Sequence, residues 1–194
     1  MTELLPLMSY CFVMSATPGP NNVMLATTGA SFGYRGALPV ILGIQVGIFV
    51  QTMLMCAGLG SVFVAYPMAQ QVLRIAGALY LMFLAWKLAG ASVTGTSAPK
   101  AVSFTQATLF QALNPKSWLK AITMASVFMP SNGNLLASAL LLSVIGTVVG
   151  MPCNVMWALF GISIRSVLKA ARSQRIFNLA MGGILMVLAV LFLR

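Results

Sequence analysis

Acidic residues are almost missing from this chain: Glu3 is the only one among 194 residues, and there is no histidine. These absences exclude much chemistry. Paired carboxylates for acid–base work, histidine-based triads, HExxH zinc sites and EF-hand calcium loops all need residues that are not there. Charge of either sign is scarce, at 6% of residues, against about a quarter in a soluble domain. The three cysteines, Cys11, Cys56 and Cys153, stand far apart inside apolar stretches. Without CxxC spacing they suggest neither a disulfide framework nor a thiolate metal site. Inert buried thiols are expected, and no cofactor or metal is implied.

Apolar residues fill the space left by charge: they make up 60% of the chain, and the mean hydropathy is +0.97. Most of the surface is therefore expected to meet lipid. A net charge of +10 raises the question of nucleic acid. A nucleic-acid binder gathers its basic residues on one polar face. Here they sit between long charge-free runs, 4–34, 36–73, 121–164 and 176–193, so no nucleic-acid partner is expected.

A membrane-crossing helix needs about 20 mostly apolar residues. That ruler predicts an all-α polytopic membrane protein with six spans: Leu4–Ser31, Leu38–Tyr66, Val72–Ala89, Phe104–Met129, Leu135–Ser163 and Ile176–Leu193. A polar connector, Gly90–Ser103, and a turn, Pro130-Ser131-Asn132-Gly133-Asn134, separate three of them. The first span lacks the basic leader of a signal peptide, so it reads as uncleaved. Arg35, Lys87, Lys100, Arg165, Lys169, Arg172 and Arg175 fall on one side; Arg74 and Arg194 fall on the other. The positive-inside rule then places both termini outside. Arg165, Lys169, Arg172 and Arg175 are spaced as one helical face, which predicts an interfacial helix on anionic lipid headgroups.

Two spans are interrupted. Thr17-Pro18-Gly19-Pro20-Asn21-Asn22 breaks the first, and Asn114-Pro115-Lys116 breaks the fourth. Pro18 and Pro115 lie 97 residues apart, half the chain length. Gly43-x-x-x-Gly47 in the second span and Gly146-x-x-x-Gly150 in the fifth add a rough correspondence. Three spans per half give an inverted 3+3 repeat, 1–97 and 98–194, within one transporter domain. Proline removes a backbone donor and frees neighbouring carbonyls, which lipid tolerates only beside protein or water. Thr17 and Asn114 read as N-caps with proline at N1, each starting a half-helix. Half-helix N-termini attract a carboxylate and freed carbonyls attract an ammonium group, so the breaks suit a zwitterion.

Lys116 and Lys120 lie one turn apart on one helical face. Lys116 either snorkels to the cytoplasmic surface or lines the cavity, where it holds a carboxylate or exchanges a proton. Lys120 reads as structural. Of the intramembrane amides Gln45, Gln51, Asn154 and Asn178, Asn154 follows Pro152 and is the preferred cavity residue. Such amides also serve simply as hydrogen bonds between helices. The candidate binding set is Thr17, Pro18, Gly19, Asn21, Asn22, Gln45, Asn114, Lys116 and Asn154.

The Thr17–Asn22 motif, the Gly-rich second span, Asn114-Pro115-Lys116 and Asn154-Val155-Met156-Trp157-Ala158 together resemble the lysine-exporter (LysE/RhtB-type) family over essentially the whole chain. The resemblance implies a bacterial plasma-membrane exporter of amino acids or their derivatives, driven by the proton motive force. It carries functional roles to Pro18, Gly19, Pro20, Asn21, Asn114, Pro115 and Lys116. Many members have Asp directly after Pro-Gly-Pro, whereas Asn21 stands there in this chain. The cysteine/O-acetylserine exporter subgroup is similar in carrying Asn-Asn, which makes that substrate class the first expectation. A cationic substrate would need a compensating carboxylate that the membrane interior lacks. Proton coupling through Asp, Glu or His is equally unavailable. An uncoupled facilitator and a non-transporting membrane subunit therefore remain alternatives. An intramembrane enzyme is disfavoured, since only Ser117 beside Lys116 offers a nucleophile and base. A homo-oligomer is compatible with this composition.

Overall fold

The structure, a computed structural model, describes residues 4–59, 65–90, 101–130 and 134–193. Glu3, residues 91–100 of the polar connector, Ser131-Asn132-Gly133 of the turn, and Arg194 lie outside the described residues. Within those that are described, every regular element is helical. In chain order they are α1 (Leu4–Ala16), α2 (Pro20–Leu54) with a π-helical end (Met55–Leu59), α3 (Pro67–Ala89), α4 (Phe104–Leu113), α5 (Pro115–Val127), α6 (Leu135–Ser163), a 3-10 segment (Ile164–Lys169) and α7 (Ala171–Leu193).

Four segments are long and apolar enough to cross a membrane: Pro20–Leu59, Gln71–Ala89, Leu135–Val167 and Arg172–Leu193. Helices satisfy their own backbone groups, which hydrocarbon demands. Side-chain exposure follows the same logic. Leu42, Val46 and Val50 form an exposed apolar stripe along α2, and Val187 and Leu191 lie likewise on α7. In water such stripes would be a liability; against lipid they are ordinary.

The interior is built on small residues. A Cβ added to Gly161 would strike the backbone of Ala26, and one on Gly29 would strike the backbone of Ala158. These positions let α2 and α6 approach closely around Leu25, Ile41 and Ile44. Gly43 and Gly47 give α4 the same access, with Thr108 donating from Oγ1 to the Gly43 carbonyl at 3.1 Å. Gly150 meets Ser15 of α1. The Gly-x-x-x-Gly pairs thus serve close packing. Elsewhere α3 and α7 join through Ala78, Leu81 and Ala85 against Leu185 and Ala189.

Two expectations are revised. The boundary expected between the first and second spans is there but takes one residue: α2 runs as two helices across a kink at Gly33 (φ 69°, ψ −171°), and Gln111 meets both of them, at Asn21 and at Gln51, without a loop between. Those angles are open essentially to glycine alone, so one residue redirects the helix. The single interfacial helix expected over Arg165, Lys169, Arg172 and Arg175 is absent. Ile164–Lys169 is 3-10, Ala170 is extended (φ −75°, ψ 129°), and α7 starts afresh at Ala171. A tighter turn followed by an extended residue destroys the register that would align the four charges.

Candidate functional site

The first break is shorter than its motif. Pro18 and Pro20 both lack an N–H, and Pro20 disfavours a helical Gly19, which is extended at φ −175°, ψ 179°. The helix resumes with Pro20 at N1 and Gly19 at the cap position. Thr17 is therefore not the N-cap expected of it. It closes α1 instead, donating to the Val13 carbonyl from its N–H (3.0 Å) and from Oγ1 (2.7 Å).

The carbonyl end of α1 is met by donors from three other elements. Asn22 Nδ2 reaches the carbonyls of Ser15 (3.0 Å) and Thr17 (2.7 Å), and Trp157 Nε1 reaches that of Ala16 (3.2 Å). Lys116 Nζ lies 2.6 Å from the Thr17 carbonyl, 2.7 Å from Thr17 Oγ1 and 3.1 Å from the Pro18 carbonyl. The amino end of α2 differs, because no described side chain caps it.

The second break behaves as expected. Asn114 (φ −87°, ψ 102°) separates α4 from α5 and caps α5 by accepting the Lys116 N–H on Oδ1 at 3.1 Å, with Pro115 at N1. The two breaks then bond to each other. Asn114 Nδ2 donates to Asn21 Oδ1 at 2.9 Å, while Asn21 and Gln111 exchange amide hydrogen bonds, both at 3.1 Å. Ser117 Oγ sits on the carbonyls of Asn114 (2.8 Å) and Gln111 (3.1 Å).

A cavity of about 30 Å³ lies between the breaks, lined among others by Gly19, Asn21, Asn22, Lys116, Lys120 and Asn154. That is about the room one water needs. Asn154 of α6 is 4% exposed, and its Nδ2 has no hydrogen-bond partner among the described residues. Lys120 is buried too, with Nζ at 3.1 Å from Ser15 Oγ and 3.3 Å from the Gly146 carbonyl. Its head is enclosed, and Lys116, half-buried, turns toward the first break. Among the described residues, both cations are held by neutral dipoles.

Six of the nine expected binding residues thus line one cavity: Gly19, Asn21, Asn22, Asn114, Lys116 and Asn154. Thr17 touches it through Lys116, as does the Pro18 carbonyl. Gln45 does not line it; its Nε2 donates to the Thr147 carbonyl of α6 at 3.3 Å. Sequence reasoning missed Gln111 and Ser15, and raised Ser117 only as a nucleophile beside Lys116. Gln111 had one signal, its place one turn before Asn114 on the same helical face.

A second cavity of about 790 Å³ opens between α2, α3 and α4, with Phe32, Lys87 and Gln106 toward one end and Pro20, Phe110 and Leu113 at the level of the breaks. Pro20 borders both cavities.

Comparison with known proteins places these features in context. The family profile described as LysE type translocator matches residues 12–194. The cysteine/O-acetylserine efflux protein of Escherichia coli strain K12 is 35% identical over 156 residues, 79% of this chain and 79% of that protein. The protein of the same description from Shigella flexneri has the same identity and coverage. One from Escherichia coli O1:K1 is 34% identical over 155 residues, again 79% of each chain. No solved structure matches.

Proposed function

The chain belongs to the LysE type translocator family, and we propose that it exports a small neutral amino acid held as a zwitterion between its two helix breaks. The observation that carries this reading is the uncapped start of α2 beside the buried Nδ2 of Asn154, which has no hydrogen-bond partner among the described residues. The backbone N–H groups of Asn21 and Asn22 and the Asn154 amide offer donors to a carboxylate, reinforced by the positive end of the helix dipole. Across the same cavity the carbonyl end of α1 suits an ammonium group. No charged side chain of the opposite sign is then required.

The relatives' description as cysteine/O-acetylserine efflux proteins makes those two compounds the first substrates proposed here. A neutral side chain also agrees with an interior that has no carboxylate to offset a second positive charge.

The mechanism we propose is alternating access between two inverted halves, 1–97 and 98–194, of one six-span domain. The side-chain hydrogen bonds joining the breaks, the α2–α6 contact and the α3–α7 pair support it, since each links corresponding segments of the halves. The setting is a bacterial plasma membrane with both termini external. In that orientation Lys87 lies at the cytoplasmic end, so the larger cavity is the entrance for cargo. Arg165, Lys169, Arg172 and Arg175 then sit near anionic headgroups.

An uncoupled facilitator is the second reading, favoured by the lack of any intramembrane carboxylate or histidine in the sequence. Flux of labelled cysteine and O-acetylserine in proteoliposomes, with and without an imposed pH gradient, tests both. The exporter gives substrate flux that the gradient accelerates; a facilitator gives flux indifferent to it. Absence of flux for every neutral amino acid overturns both readings.

A further inference from the structure

We propose that the Lys116 ammonium is a tethered stand-in for the α-ammonium of the cargo, and that loading requires the cargo to displace it from the end of α1. This inference rests on the zwitterion site just described. An ammonium group has three N–H donors and no acceptor. Lys116 Nζ finds three oxygens: the Thr17 carbonyl at 2.6 Å, Thr17 Oγ1 at 2.7 Å and the Pro18 carbonyl at 3.1 Å. The seat therefore already demonstrates its ligand chemistry, a primary ammonium. The Thr17 carbonyl accepts Asn22 Nδ2 at 2.7 Å on one lone pair and Nζ on the other, and the negative end of the 13-residue α1 adds attraction.

Space points the same way. In this conformation the cavity holds about one water, and a departing side chain supplies room for an amino acid. Lys120 is fully enclosed and anchored on Ser15 and Gly146. Lys116 is half-buried on a flexible stem. Gly19 keeps the path of that stem open, because a Cβ there would come 2.9 Å from Lys116 Cδ and 3.1 Å from Nζ.

Charge gives the exchange its logic. A cargo ammonium entering beside Lys116 and Lys120 would be a third cation in a site of low dielectric, which repulsion forbids. Replacing one ammonium by another leaves α1 compensated before and after. The displaced Lys116, half-buried on a flexible stem, turns out of the seat, so one ammonium at a time occupies the end of α1 while the cargo carboxylate goes to the start of α2. The seat also selects cargo, because three converging acceptors favour a primary ammonium over a quaternary one.

The test uses purified full-length protein in detergent. Lys116→Ala removes the equivalent of propylammonium from the side chain. We expect the variant to unfold at lower temperature than wild type and n-propylammonium to restore it. Tetramethylammonium, with equal charge and no N–H, should not restore it, and wild type should respond to neither. O-acetylserine should bind the variant about tenfold more tightly than wild type, since no tether competes. Lys116→Met, which retains the apolar stem, replaces the alanine variant if that fails to fold; binding of O-acetylserine is then the deciding readout. Equal effects of the two cations, or equal O-acetylserine binding by variant and wild type, overturn the proposal. Propylammonium-specific rescue without amino-acid flux in wild-type proteoliposomes would instead keep the ammonium seat and remove the exporter reading.

Discussion

Asn154 buries an amide nitrogen with no partner among the described residues, a state that ordinarily costs about 1–3 kcal/mol. If that nitrogen waits for a carboxylate, Asn154→Ala should leave thermal stability unchanged or slightly higher. The same change should raise the KM for efflux about tenfold, the equivalent of about 1.4 kcal/mol. Thermal unfolding and proteoliposome kinetics on one preparation check both halves. Asn114 should behave in the opposite way, because its partners are internal. Asn114→Ala removes the cap of α5 and a hydrogen bond to Asn21. We expect a loss of about 1–3 kcal/mol of stability, read as a lower unfolding temperature. Gly33→Ala has open space for its methyl but the wrong backbone region. It should cost about 1–3 kcal/mol without touching the site.

Among the elements, the breaks were legible in the sequence because proline and asparagine act locally. Asn114-Pro115 caps α5 as its residue types dictate. Thr17-Pro18 did not cap, because a second proline two residues later offered a better start and left Thr17 to close α1. The Arg165–Arg175 stretch misled for a related reason. Charge spacing reports a face only if the backbone stays α-helical, and Ala170 does not. Gln111 offered only its place one turn before Asn114, since the meeting of α2 with α4 supplies its partner Asn21. The packing elements follow from their glycines. Gly161→Val should disrupt the α2–α6 contact, because even a Cβ there meets the Ala26 backbone. The expected outcome is a sharp fall in folded, monodisperse protein on size-exclusion chromatography, with Gly183→Val, where a Cβ meets nothing nearby, as the tolerated control.

For the whole molecule, the near-absence of acidic residues becomes a statement about cargo. A site without a carboxylate side chain binds through helix ends and amides, and these recognise a zwitterion by both its poles. Orientation is testable on the same scale. Single cysteines introduced near Leu4 and Leu193, in a background lacking Cys11, Cys56 and Cys153, should react with a membrane-impermeant maleimide in intact cells. A cysteine at Lys87 should react only after permeabilisation. The most direct test of the two-pole site is competition for O-acetylserine flux by alanine, ethylamine and propionate. Alanine carries both poles, and each of the others carries one. The account predicts that alanine inhibits the wild-type protein while ethylamine and propionate, at the same concentration, do not. Inhibition by propionate or ethylamine as strong as that by alanine would contradict it.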